Sequence, residues 1–91
     1  MSAAIKFPKA LKEIRVHLCQ SGAASKGVRE FIEKYYVDLK SNNPKFPILI
    51  RECSGVEPKL WARFELGKEK AISLKDLSSS DVLTKVKSIA A

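Results

Sequence analysis

An amphipathic helical stretch lies between two short apolar runs, and this order constrains the fold more than any other feature of the chain. The helix is indicated by apolar side chains that recur every three or four residues, at Val28, Phe31, Ile32, Tyr35 and Leu39. The flanking runs, residues 14–19 and 47–53, have the character of β-strands. A strand–helix–strand unit makes its two strands parallel and brings their carboxyl ends to the same edge of the sheet.

The rest of the chain predicts two more strands and a second helix. Residues 60–66 alternate as a strand does, Gly67 signals a turn, and residues 71–74 pair back as a hairpin. Ser25 is the predicted N-cap of the first helix, and one of the serines at 78–80 that of the second. The order β-α-β-β-β-α predicts an α/β fold with a four-stranded mixed sheet. Both main helices are expected on one face of it, because each needs an apolar surface to pack against.

The length and charge of the chain limit its organisation and its partners. Its 91 residues are enough for one small domain, so residues 1–91 are predicted to form a single domain. Residues 1–11 show no strong period and are predicted to be a loose N-terminal arm. No apolar run approaches the roughly 20 residues that span a bilayer. The net charge of +7 favours an acidic partner, such as nucleic acid, an anionic membrane surface or an acidic protein.

With both helices on one face, the opposite face of the sheet is left without a helix. Strand alternation assigns to that face Arg15, His17, Cys19, Leu49, Arg51, Cys53, Trp61, Arg63 and Glu65. Trp and Arg are the residue types that most often anchor protein interfaces. We therefore predict a docking surface carried by Arg15, His17, Arg51, Trp61 and Arg63. The alternative is that loops or the N-terminal arm cover this face.

The two cysteines end the two parallel strands, so they are expected to be close in space although 34 residues separate Cys19 from Cys53. A thioredoxin-type reductase needs a resolving thiol three residues after its nucleophile, and Gly22 occupies that position. Three interpretations stay open: two free thiols, a disulfide that forms under oxidising conditions, and a working redox pair. Thioredoxin folds hold a cis-proline before the third strand, and this position predicts a cis peptide bond at Pro58.

Other site chemistry is poorly supported by the sequence. His17 is the only histidine, and a site made of His17, Cys19 and Cys53 lacks a fourth ligand and the usual zinc spacing. The chain has no phosphate-binding loop, no dinucleotide glycine pattern and no serine-hydrolase elbow. No catalytic residue, metal or cofactor is therefore predicted.

Several consecutive strings of the sequence resemble a known family. IRVHLCQ (14–20), SKGVREFIEKYY (25–36), PILIREC (47–53) and VEPKLWARFE (56–65) closely resemble the small thioredoxin-like accessory subunit of mitochondrial respiratory complex I, the NADH:ubiquinone oxidoreductase. The resemblance covers roughly residues 11–90. That family shares its domain with two mitochondrial ribosomal proteins.

The resemblance implies a thioredoxin-like fold without thioredoxin activity, and a subunit with neither an iron–sulfur cluster nor a flavin. It implies residence in the mitochondrion, on the matrix side of the inner membrane, in the peripheral arm of the complex, among other complex I subunits. It also implies that Cys19 and Cys53 can form a disulfide.

Three functions are therefore in competition. The leading hypothesis is a non-catalytic subunit that docks on a larger neighbour and supports assembly or stability of complex I. The second is a mitochondrial ribosomal RNA-binding protein of the same domain family, although the chain lacks the long basic extensions that such proteins usually carry. The third is a thiol redox sensor or oxidoreductase.

Overall fold

A computed structural model describes residues 5–90 as a four-stranded sheet with two main helices. The elements in chain order are β1 (Leu11–Leu18), α1 (Lys26–Asn42), β2 (Ile48–Glu52), β3 (Lys59–Phe64), β4 (Glu69–Ser73) and α2 (Ser79–Ala90). Short 3₁₀ turns occupy Ala23–Ser25 and Glu65–Gly67. The predicted order β-α-β-β-β-α is confirmed.

The sheet is mixed, with strand order β2-β1-β3-β4. β1 and β2 are parallel, as the crossover through α1 requires, whereas β3 runs antiparallel to both β1 and β4. The β1–β2 register pairs Ile14 with Ile48 and ends with Leu18 opposite Glu52. This architecture confirms the predicted mixed α/β sheet and is compatible with the predicted thioredoxin-like fold.

The hydrophobic core lies on one face of the sheet, beneath both helices. Ile14, Val16 and Leu18 point into it from β1 and are 1–2% exposed. The apolar stripes of α1 and α2 meet these side chains in one cluster, and the two helices pack against each other. Each fully buried aliphatic side chain of this kind contributes roughly 1.5–3 kcal/mol, so the alternation of β1 fixes which face the helices cover.

A glycine in the first turn of α1 allows a close approach to the segment before α2. A Cβ atom at Gly27 would lie 1.6 Å from the carbonyl oxygen of Leu77. The same region is joined by a hydrogen bond from the Asp76 N–H to the Ala24 carbonyl, at 3.1 Å. Gly27 therefore sets the distance between α1 and the loop that leads into α2.

The segment before β1 differs from the predicted loose arm over its described residues. Ile5 is 7% exposed and belongs to the core, and its carbonyl accepts a 2.7 Å hydrogen bond from the side-chain amide of Asn43. The rings of Phe7 and Phe46 stack at 4.5 Å. The apolar side chains of this segment thus pack against the C-terminal end of α1, although their irregular spacing does not predict a helix or a strand. Residues 1–4 of the predicted arm lie outside the described residues.

Two strand ends also differ from the sequence-based expectation. β1 and β2 end one residue before Cys19 and Cys53, not on the cysteines. β3 ends at Phe64, because Glu65–Gly67 form a 3₁₀ turn in which Leu66 has a φ of 63°.

Candidate functional site

The face of the sheet opposite the helices carries the five residues that were predicted to dock a partner. The register places Arg15 beside Trp61, and His17 between Arg51 and Lys59. Arg63 follows two residues after Trp61 and so points to the same side. We call this surface the open face, defined by Arg15, His17, Leu49, Arg51, Lys59, Trp61 and Arg63. All of its members are half-buried or exposed, and both helices pack on the other side, so the predicted division of the sheet into two faces is confirmed.

Trp61 forms the centre of the open face. The guanidinium carbon of Arg15 lies 5.9 Å from the centroid of the Trp61 ring, and the His17 ring lies 6.1 Å away. The Trp61 Nε1–H has no hydrogen-bond acceptor among the described residues, although the nitrogen itself is buried. A buried indole usually donates a hydrogen bond, so this donor is an unusual feature of a surface that lies next to solvent.

The ion pairs of the open face leave a positive excess. Arg15 contacts the carboxylate of Glu69 at 2.6 Å and that of Glu13 at 3.4 Å, which holds its side chain beside Trp61. Among residues 5–90, no carboxylate lies within 4.0 Å of Arg51 or Arg63. The surface therefore presents two uncompensated guanidinium groups, which favour carboxylate partners because each can donate two parallel hydrogen bonds.

His17 responds to this positive environment. Desolvation by partial burial, followed by the charges of Arg15, Arg51 and Lys59, lowers the pKa of the His17 imidazole below its ordinary 6.5. The lowered pKa reduces the positive charge that His17 adds to the open face near neutral pH.

The thiol of Cys19 lies at one end of the sheet, among backbone amides. Hydrogen bonds from the N–H groups of Ser21, Gly55 and Gly22, in that order of size, outweigh burial and lower the pKa of the Cys19 thiol to about 7. The Gly55 N–H lies 3.4 Å from Sγ. A large fraction of this sulfur is therefore thiolate at neutral pH, the form that reacts with disulfides. Its exposed fraction is only 8%, which restricts the size of any reactant.

Two side chains that were not assigned to this site hold its backbone. The Ser25 hydroxyl, 1% exposed, accepts a 3.0 Å hydrogen bond from the Cys19 N–H. Ser25 is the N-cap residue of α1, as predicted, but its side chain makes no capping hydrogen bond to the helix, because its oxygen is engaged by the Cys19 N–H. The guanidinium of Arg29 donates to the carbonyls of Cys19 and Gly22, at 3.0 and 2.8 Å. By contrast, Ser78 does cap α2, accepting the Asp81 N–H at 3.2 Å.

Cys53 lies beside Cys19 in the sheet but in a different environment. Its N–H donates to the Leu18 carbonyl at 2.9 Å, which extends the parallel ladder one residue beyond the last strand pair. Cys53 is exposed, whereas Cys19 is buried, and both are free thiols. Cys19 was expected on the uncovered face, but its side chain is buried: a Cβ added at Gly22 would lie 3.3 Å from its Sγ, so the loop that includes Gly22 packs against the sulfur.

The predicted cis peptide bond at Pro58 is also wrong. All peptide bonds within the described residues are trans. The trans form of an X–Pro bond is favoured intrinsically, and Pro58 itself is buried, with its carbonyl accepting a 2.9 Å hydrogen bond from the Leu74 N–H.

Across residues 5–90, no three His, Cys, Asp or Glu side chains come together as a metal site would require. No helix in the same part of the chain combines the length and the apolar character needed to cross a bilayer.

Comparison with known proteins gives one family and several close relatives. Residues 28–79 match the family described as the mitochondrial ribosomal protein L51 / S25 / CI-B8 domain. The chain is 56% identical over 81 residues to NADH dehydrogenase (ubiquinone) 1 alpha subcomplex subunit 2 of Mus musculus, covering 89% of this chain and 82% of the relative. The protein of the same name from Arabidopsis thaliana is 55% identical over 75 residues, or 82% and 77% of the two chains. The NADH-ubiquinone oxidoreductase 10.5 kDa subunit of Neurospora crassa is 46% identical over 89 residues, or 98% and 95%.

Proposed function

The chain belongs to the L51 / S25 / CI-B8 domain family, within the group of NADH dehydrogenase alpha subcomplex subunit 2 proteins, and we propose that it is an accessory subunit of mitochondrial complex I. The observation that carries this proposal is 46–56% identity to such subunits over 82–98% of this chain. The subunit sits in the peripheral arm of the complex, on the matrix side of the inner membrane, and supports assembly or stability of the NADH dehydrogenase.

The proposed role is non-catalytic. A thioredoxin-type reductase attacks with an accessible thiolate and releases its product through a nearby resolving thiol. Cys19 has the lowered pKa of such a thiolate, but it is 8% exposed and Gly22 stands where the resolving thiol would be. An insulin-reduction assay tests this directly, and we expect no turnover. Turnover that disappears in Cys19→Ser would establish a thiol oxidoreductase instead.

The docking surface of the proposed subunit is the open face, through Arg15, His17, Arg51, Trp61 and Arg63. Its support is the combination of an aromatic centre, two guanidinium groups without carboxylate partners, and the absence of a covering helix in the described chain. Aromatic and Arg side chains dominate the energetics of protein interfaces. The partner subunit should therefore present carboxylates around an apolar centre.

A conditional disulfide between Cys19 and Cys53 is part of the same proposal. The two residues follow the last paired positions of neighbouring parallel strands, and the Cys19 thiolate can attack an oxidised low-molecular-weight disulfide. Cys53 then displaces the bound thiol, so two protein thiols are oxidised as the small disulfide is reduced. Closing this loop would stabilise the domain by about 4 kcal/mol on the chain-entropy account. Redox titration with alkylation and mass measurement gives its potential: a value well below that of the glutathione pool indicates a permanent brace, and one near it a switch.

The experiment for the main proposal is purification of the tagged chain from mitochondria under native conditions. We expect the tag to migrate with NADH dehydrogenase activity on a native gel, and complex I subunits to dominate its mass spectrum. The second candidate is a mitochondrial ribosomal protein, favoured by the family description and by the net charge of +7. The main proposal would be overturned in favour of this one if the chain co-sedimented with a mitochondrial ribosomal subunit and not with complex I. That co-sedimentation should be lost as the salt concentration is raised.

A further inference from the structure

The turn between β3 and β4 carries a leucine that neither the core nor the turn conformation explains. Leu66 and Gly67 have successive positive φ values of 63° and 72°. Turns with two such residues favour Asn-Gly or Asp-Gly, because a left-handed backbone crowds a larger side chain against the following carbonyl. Leu66 is nevertheless 94% exposed. The chain therefore accepts a conformational cost and displays an apolar side chain to solvent at the same position.

The exposure of Leu66 is exceptional within the molecule. Among the described residues, only Leu66 and Val37 are large hydrophobic side chains classed as exposed, and Val37 lies in the middle of α1 at 70%. Val37 is an ordinary outward-facing residue of a helix, where it has no backbone cost. Leu66 combines exposure with a backbone conformation that Gly or Asn would adopt more readily, and backbone strain of this kind clusters at functional positions such as contacts with a ligand or partner.

The turn also continues the open face. Leu66 lines a shallow hollow together with Lys12, Glu13, Arg63 and Phe64, so it borders a residue of the proposed docking surface. Lys12 is paired with Glu65 at 3.7 Å, whereas Arg63 and the neighbouring Lys68 have no carboxylate within ion-pair distance in the described chain. The tip of the turn thus carries an exposed apolar side chain near two cations, Arg63 and Lys68, that lack a carboxylate partner, although Glu13 and Glu65 also line the hollow.

We propose that Leu66 is an anchor of the interface, and that the β3–β4 turn inserts it into an apolar socket of a neighbouring protein subunit. Carboxylates on the rim of that socket face Arg63 and Lys68. This inference rests on the proposed function, because the socket belongs to a subunit of the same complex. Burial of one leucine side chain is worth roughly tenfold to hundredfold in an association constant, so removal of the side chain should weaken incorporation by at least about tenfold.

The test is a competition in mitochondria that lack the endogenous protein. Differently tagged wild type and Leu66→Gly are supplied in equal amounts, and their ratio in the native complex I band is measured by mass spectrometry. Glycine adopts positive φ freely, so the free Leu66→Gly protein should melt at the same or a higher temperature than wild type. We expect it nevertheless to be depleted about tenfold or more from the complex. Leu66→Met keeps a large apolar side chain and should be incorporated almost normally. Val37→Ala is the matched control for truncation of an exposed apolar side chain.

The outcomes separate the two proposals. If wild type enters complex I and Leu66→Gly competes equally with it, the anchor is refuted while the proposed function stands. If wild type does not enter complex I, both are refuted. Two other results, each with normal competition in the complex, would overturn the socket. If Leu66→Gly loses self-association in size-exclusion chromatography, Leu66 contacts a second copy of the chain. If Leu66→Gly loses binding to anionic phosphatidylserine vesicles, Leu66 contacts a membrane.

Discussion

Replacement of Gly27 by Ala should destabilise this protein, although alanine is the better helix former. A Cβ at position 27 would lie 1.6 Å from the Leu77 carbonyl oxygen and 2.7 Å from its carbon, where real contacts do not fall below 3.0 Å. The α1 backbone and the segment before α2 must therefore separate by about 1.4 Å, the difference between 3.0 and 1.6 Å. That segment holds Leu74, which is 0% exposed, so the displacement reaches the core.

The size of the effect follows from two opposing contributions. Glycine-to-alanine replacement in a helix gains up to about 1 kcal/mol, whereas overpacking that forces backbone shifts costs typically about 1–3 kcal/mol. The clash involves backbone atoms on both sides and cannot be relieved by a rotamer change. We expect a net loss of about 1–2 kcal/mol, which lowers the melting temperature by about 4–16 °C for a domain of this size.

Urea unfolding, followed by Trp61 fluorescence and by far-ultraviolet circular dichroism, measures this loss. Ser41→Ala, at an exposed position of α1, is the matched control, because it changes helix propensity without a close contact and should stabilise by about 0.5 kcal/mol. A Gly27→Ala protein as stable as wild type, or more stable, would refute the packing argument.

Three further predictions concern the thiol and the open face. In a Cys53→Ser background, alkylation of Cys19 by a small reagent should rise with pH around a midpoint near 7, because backbone amides lower its pKa to about 7; a midpoint near 9 contradicts the amide cluster. The pKa of His17 is lower in the folded protein than in the unfolded chain, so as pH falls the unfolded chain is protonated at His17 before the folded protein is. The free energy of unfolding should therefore fall as pH decreases below about 6.5. His17→Gln should flatten that slope, and an unchanged slope would exclude His17 as its cause. Ser25→Ala leaves the buried Cys19 N–H without its acceptor and should cost about 1–3 kcal/mol in urea unfolding, whereas Ser54→Ala, in the exposed loop after Cys53, should change little.

Periodic signals in the sequence predict most of the architecture. The stripe of α1 depends on spacing within one helix, and the alternation of β1 decides which side chains enter the core, so both follow from local pattern. The right-handed crossover then fixes the parallel pairing of β1 with β2. The open face, with Trp61 at its centre, follows from the same alternation without any knowledge of loops.

The thiol edge was harder to predict because its contacts are made by loops. Ser25 has the residue type of an N-cap, but its hydroxyl accepts the Cys19 N–H instead of an N–H of the helix. Which of the two donors it meets depends on how the loop before α1 folds back. The burial of Cys19 beneath the Gly22 loop has the same origin. The trans peptide at Pro58 and the left-handed turn at Leu66 depend on single dihedral angles, which hydrophobic periodicity does not encode.

Charge reversal at the open face tests the proposal that this surface docks the protein into complex I. Incorporation of Arg51→Glu/Arg63→Glu is compared on a native gel with that of Lys34→Glu/Lys85→Glu, which makes the same change of charge at exposed positions on the helices. We expect the open-face variant to fold but to fail to enter the complex, while the helix variant enters normally. Normal incorporation of the open-face variant, or equal loss by both, would contradict the assignment of the open face as the docking surface.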